Sequence, residues 1–340
     1  MAASLTHVSS LPLSGFTIFG LDLTNSPQGV TCSSDNSSLY ITLKKRILKV
    51  PRDWDGSSPP LLTSDNVLSH FPKYSHVGAP ALHSSSSTLL LPLESPTLKG
   101  IVASFSLDLE YQSSAPTSQA HLPWVAVDVD SSLVYSSEYD DVSSLSSYAL
   151  SDLSPATAIP LDAAVPLLGG VQGGAMWNGE LFLSMNDEPL SIYRVDVRGD
   201  GAVSFLASVE EVTGLESMAR NFFLGAEMEG LAFCGSGDDV RMLLVVGTMS
   251  RFMLLFLGVG LAIAIALLCI ALAVACRKPE IDADRIKLVE DASKPNPRSI
   301  VACKVFATTL LAAAIGFGVS FGVVGQFVAR GQLLEFIVEQ

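Results

Sequence analysis

Five segments of this chain share one shape at a nearly fixed interval, and that interval limits the folds open to it more than any other feature. Each opens an apolar strand on a polar or aromatic residue, turns, and returns as a second strand. They are QGVTCSSDNSSLYIT from Gln28, HVGAPALHSSSSTLLLP from His76, WVAVDVDSSLVYSS from Trp124, QGGAMWNGELFLSMN from Gln172 and EGLAFCGSGDDVRMLLVVG from Glu229. Their first residues lie 48, 48, 48 and 57 positions apart. Three units continue into a third strand, at ILKV from Ile47, IVASFSLDL from Ile101 and SIYRVDV from Ser191, and LSSYAL from Leu145 adds a fourth. A strand–turn–strand–strand unit of this length cannot bury both of its faces alone, and repeats of it stack as blades around an axis. The expectation is an all-β propeller over residues 15–250, with five visible blade-like repeats and room left for a sixth. The fifth unit runs out of strand after LLVVG, so GFTIFGLDL from Gly15 is expected to supply its outer strands and close the ring. Residues 1–14 read as an unstructured or truncated N-terminus.

Two stretches beyond the repeats carry no charge: 252–276, ending at Arg277 and Lys278, and 305–329, bracketed by Lys304 and Arg330. Each is long enough to cross hydrocarbon as a helix. They read as a transmembrane α-helical hairpin with a loop at 277–304 and a short tail at 330–340. Small residues recur every fourth position, at Gly258, Ala262 and Ala266 and again at Ala314, Gly318 and Gly322, a spacing that lets helices pack closely in lipid. Neither stretch holds an ionisable residue, so an ion pathway lacks its usual groups and the hairpin reads as an anchor. The loop carries seven Lys/Arg, which places it in the cytoplasm and the N-terminal domain outside or in a lumen. MAASLTHVSSLPLSGF shows neither the basic start nor the apolar core of a signal peptide. Either the start is truncated, or the first span acts as a signal anchor with the domain in the cytosol.

Residues 1–251 hold 12 Lys/Arg against 27 Asp/Glu, whereas 252–340 hold 8 against 7. The acidity therefore belongs to the repeats, which tolerate cations or basic partners but not a nucleic-acid backbone. The five cysteines form no metal pattern. Cys32 and Cys234 read as buried small residues, with a mutual disulfide open if the domain closes on itself. Cys276 and Cys303 flank the loop and are acylation candidates. Asn36 begins an Asn-Ser-Ser glycosylation triplet.

The repeats resemble six-bladed propellers related to gluconolactonases, strictosidine synthases and esterase-like phytases. The likeness rests on QGV, QGG and EGLAF at blade starts followed by LYIT or LFLS, spans roughly residues 15–247, and is architectural. In those families the resemblance implies metal-dependent hydrolysis by acidic and amide side chains around the channel. This chain lacks a matching set at every blade, so no catalytic role carries over.

In a propeller, the residues opening the innermost strands gather near one mouth of the channel. Gln28, His76, Trp124, Gln172 and Glu229 are the ligand-binding candidates, and Glu227 joins them because it shares a strand face with Glu229. Asp128, Asp130, Glu138, Asp140 and Asp141 could hold Ca²⁺, although the ligand spacing of a calcium loop is absent. His83 and His121 read as satisfied or surface histidines, and Ser84–Ser87 and Ser113–Ser118 as loops. The leading expectation is a membrane-anchored propeller binding an extracellular or lumenal small molecule or protein. A calcium-dependent hydrolase and a structural subunit of a membrane complex are the alternatives.

Overall fold

The structure, a computed structural model, describes residues 4–12, 26–54, 58–162, 168–187, 189–209, 223–236, 239–250 and 330–339. The apolar stretches, the loop 277–304, Cys276, Cys303 and the segment 15–23 lie outside them. Among the described residues no helix is long and apolar enough to cross a membrane. The chain divides into two compact units, Ser250–Phe327 and the remainder.

Among the described residues the remainder is built of β-strands in five sheets that follow the repeat. Blade 1 holds β2 (Pro27–Cys32), β3 (Ser38–Leu43), β4 (Ile47–Pro51) and β5 (Leu62–Thr63), after a first strand β1 (Ser4–Pro12) that belongs elsewhere. Blade 2 has an interrupted inner strand, β6 (His76–Val77) and β7 (Ala81–His83), then β8 (Thr88–Glu94), β9 (Ile101–Ser106) and β10 (Tyr111–Pro116). Blade 3 is β11 (Ala126–Asp128), β12 (Leu133–Ser136), β13 (Ser144–Ala149) and β14 (Ile159–Pro160). Blade 4 is β15 (Val171–Trp177), β16 (Glu180–Met185), β17 (Ser191–Val195) and β18 (Val203–Ser208). Blade 5 starts with β19 (Phe223–Cys234) and β20 (Arg241–Ser250), then takes β21 (Arg330–Glu339) and finally β1 on its outside.

That last blade corrects two expectations. Within the 330–340 expected as a tail, Arg330–Glu339 is instead a strand that pairs antiparallel with β20 from Arg241↔Ile337 to Thr248↔Arg330. Nor is Ser4–Pro12, within the 1–14 expected to be unstructured, without structure, because it pairs with β21. The ring is closed with strands from both termini, by segments other than 15–23. Ser113–Ser118, expected as a loop, lies largely in the edge strand β10, where Ser113 pairs with Ser104. Ser84–Ser86 is a 3-10 turn.

The second strands explain why the repeat is so apolar. In β3, Leu39, Ile41 and Leu43 pack toward blade 5 while Tyr40 packs toward blade 2. In β16, Leu181, Leu183 and Met185 face blade 3 and Phe182 faces blade 5. A strand buried on both faces loses polar alternation and becomes a continuous apolar run. The buried side chains form five clusters, and each joins one pair of neighbouring blades. A closed ring has as many interfaces as blades, so the ring closes on five, with β19 against β2. The propeller expected from the repeat is present, and the sixth blade for which the sequence left room is not among the described residues.

The junction of blades 1 and 5 is held three further ways. Cys32 and Cys234, 202 residues apart in sequence, form a disulfide with Cα atoms 5.8 Å apart. The Gly235 N–H donates to Asn36 Oδ1 at 2.8 Å, and Arg52 pairs with Glu335 at 3.0 Å. Of the two readings of the domain cysteines, the structure takes the disulfide.

Candidate functional site

The inner strands meet at a waist that explains the glycines of the repeat. A Cβ on Gly29 would lie 2.5 Å from Ala79 Cα, one on Gly173 2.6 Å from Gly230 Cα, and one on Gly230 2.8 Å from Gly29 Cα. Backbones this close leave no volume for a methyl group. Blades 2 and 3 are joined at this level by a parallel bridge between Ala79 and Trp124, with the Ala79 N–H donating to Pro123 O at 2.8 Å. The waist divides the axis into two mouths, one at the N-terminal ends of the inner strands and one at their C-terminal ends.

At the first mouth three of the five strand-opening candidates converge. His76 Nδ1 lies 2.7 Å from Glu94 Oε2, and its Nε2 contacts Gln28 Oε1. Gln28 is buried and its amide nitrogen donates to Ser26 Oγ at 3.0 Å and Pro27 O at 2.9 Å, which turns its oxygen toward His76. Both imidazole nitrogens therefore face side-chain oxygens. Burial raises the Glu94 pKa, but the His76 hydrogen bond and charge, with the Leu122 N–H donating at 2.8 Å, outweigh it and leave the carboxyl below its ordinary value.

Glu229 comes to the same place from blade 5 and is only 7% exposed. Burial, then the charge of Glu227 and a hydrogen bond to it, push its pKa to about 8, against the opposing pull of Lys44 and Gln28. Glu227 itself is exposed, so of the two carboxyls only Glu229 is withdrawn from water. Tyr139 of blade 3 feels the same field. Burial raises its hydroxyl, a hydrogen bond with Asn186 opposes, and Glu227, Asp140 and Glu229 add to the rise. Asn186 Oδ1 in turn accepts from the Met228 N–H at 2.5 Å, between the two glutamates.

The remaining candidates stay apart. Trp124 is fully buried, donates from Nε1 to Ser137 Oγ at 3.1 Å, and occupies the space a Cβ on Gly174 would need. It is a wedge between blades 3 and 4. Gln172 sits at the β15 bulge and makes no side-chain hydrogen bond to the described residues. Four of the five carboxylates suggested for calcium are engaged, Asp141 being the exception. Asp128 and Asp130 bind Arg198 at 2.8 and 3.0 Å, Glu138 accepts from the Ala120 and His121 N–H groups, and Asp140 from Gly170. Among the described residues no three of His, Cys, Asp and Glu are placed to hold a metal ion. His83 is bound by Ser85 and Ser86, and His121 is exposed beside Glu94.

Lys44, Glu94, Tyr139 and Asn186 were not among the sequence candidates. Each stands at or just beyond the end of a second strand, and an antiparallel second strand ends where the first begins, as in the pairs His76↔Glu94 and Val171↔Met185. For Lys44, Glu94 and Asn186 the first polar residue after the apolar run was therefore the available indication, whereas Tyr139 lies three residues past β12 and had none.

The ring, its five interfaces and its axial mouths define a β-propeller. No protein-family model matches the chain. No curated protein matches it in sequence. Among solved structures it resembles glutaminyl cyclase from Myxococcus xanthus, at 9% identity over 71% of this chain and 91% of that one, with a TM-score of 0.51. The nidogen/laminin complex follows at 10% identity, 67% and 76% coverage and a TM-score of 0.45. At such identities the likeness to the first is one of fold alone.

Proposed function

We propose that the chain is a membrane-anchored β-propeller that binds a cationic ligand, or a basic patch of a protein partner, on the extracellular or lumenal side. The observation that carries this reading is the Glu229–Glu227 pair at the first mouth. A carboxyl that burial and a neighbouring carboxylate keep protonated at neutral pH gives that proton up when a bound cation adds its charge beside it. The acidity of residues 1–251 would steer such a ligand toward it. Anchoring rests on the two charge-free stretches and the basic loop between them. The Cys32–Cys234 disulfide favours an oxidising compartment over the cytosol.

Calorimetry of the full-length chain with a short Lys/Arg peptide tests the reading. Binding should tighten by about tenfold or more from pH 6 to pH 9 as Glu229 loses its proton unaided. Glu229→Gln should remove that pH dependence, while Glu110→Gln, on an exposed turn, should leave it. Equal pH dependence in wild type and Glu229→Gln would sink the assignment.

A further inference from the structure

The second mouth holds a cavity of ≈ 230 Å³ to which all five innermost strands contribute. Among the described residues, not one that lines it is ionisable as it stands, since the only cysteine there, Cys32, is in the disulfide. The inner strands pair on one side only, so their free edges present backbone N–H and C=O groups toward the axis. Thr31 lines the cavity, the residue being 8% exposed, and its hydroxyl makes no hydrogen bond to the described residues. Asn36 lines it too. Its oxygen is taken by the Gly235 N–H at 2.8 Å, which leaves its NH₂ to donate outward. A different part of the wall is Phe233, fixed by stacking on Trp177 at 5.3 Å and by an edge contact with Phe182 at 4.8 Å.

Polar donors and acceptors without charge, beside a rigid aromatic ring, suit a neutral ligand with hydroxyls on one side and a C–H face on the other. The volume lies below the range of drug-sized sites and matches about a dozen heavy atoms. We propose that this cavity binds a neutral hexose, as a free sugar or as the terminal residue of a glycan. A charged sugar of the same shape would be desolvated there with no counter-charge. The site is separate from the Glu229 mouth, across the glycine waist, and stands or falls independently of it.

The full-length chain, in detergent without sugar head groups, is titrated with the methyl α-glycosides of glucose, galactose and mannose, and with glucuronate and glucosamine. Calorimetry and saturation-transfer NMR are the readouts. At least one neutral glycoside is expected to bind, with the charged sugars at least about tenfold weaker. Thr31→Val should weaken binding by roughly fivefold, and Ser34→Trp, at the exposed rim, should abolish it without lowering Tm. Oligosaccharides ending in the preferred hexose distinguish the source. Tighter binding than the methyl glycoside marks a glycan and equal binding a free sugar, and both support the site. Absence of binding by every neutral glycoside and oligosaccharide up to about 50 mM overturns the proposal. So does binding that ignores sugar charge or survives Ser34→Trp, and so does a glycan found attached to Asn36, which would remove its amide from the site.

Discussion

Glu229 lies where burial and a neighbouring carboxylate act in the same direction, and its protonation therefore enters the stability of the whole ring. Its pKa rises from 4.5 to about 8 on folding. Between those values the native state binds a proton the unfolded chain has lost, so the stabilisation is full below about pH 4.5 and is lost as pH rises through about 8. Glu229→Gln keeps the hydrogen-bonding shape without the charge. Denaturant melts should show the wild type losing a few kcal/mol relative to this variant between pH 5 and pH 9. A constant difference would mean that Glu229 is solvated. Glu94 has the opposite sign. Its lowered pKa contributes stability present above its unfolded value and lost as pH falls through the folded one. Glu94→Ala orphans the Leu122 N–H and His76, and a loss of about 1–3 kcal/mol is expected at pH 7. Gln28, His76 and Glu229 were legible in sequence because the repeat marks where inner strands open. Trp124 occupies the same repeat position and misled for a physical reason. An indole with Gly174 opposite finds more apolar surface between blades than at a wet mouth.

At the scale of elements, the glycines distinguish a ring of five from a looser stack. Gly230→Ala would push a methyl to 2.8 Å from Gly29 Cα and 2.9 Å from Ala79 Cβ, so three blades must spread to admit it. A loss of about 1–3 kcal/mol in thermal or urea unfolding is expected. Alanine at Gly199, whose nearest neighbours are the side-chain atoms of Asp196, should cost less. Equal costs would argue against a closed waist. First, second and third strands were readable because apolar side chains must fill an interface on each face. The fourth strands escaped notice because β5 and β14 are two residues each and the others face solvent over much of their length, with Tyr111–Pro116 almost wholly solvated and Ser204 and Phe205 exposed in β18. Strand β21 escaped for another reason. RGQLLEFIVE directly follows a charge-free stretch, and its partners β1 and β20 are far away in sequence, where no local pattern joins them.

For the whole molecule, the pairing of β20 with β21 constrains the segment between them. The chain leaves the propeller beyond Thr248 and re-enters at Arg330, and those two residues are partners in one ladder. Whatever lies between must return to its starting point, so any membrane crossings it makes are even in number. Two charge-free stretches of spanning length fit that requirement, and a single span does not. The same connection means that the outer half of blade 5 is made only after both stretches have been synthesised. A chain stopped before Arg330 should leave β1 and β20 without their shared neighbour, two exposed edges that favour aggregation. Size-exclusion chromatography of that truncation should show aggregates where the full chain is dispersed. The topology itself is read by protease protection in sealed vesicles. Loop 277–304 should be cleaved from the face opposite the propeller, whose accessibility is followed with an antibody to a tag placed before Ser4. Cleavage of both from one face would exclude the hairpin, whereas protection of one with cleavage of the other fixes two crossings with both termini of the propeller on a single side.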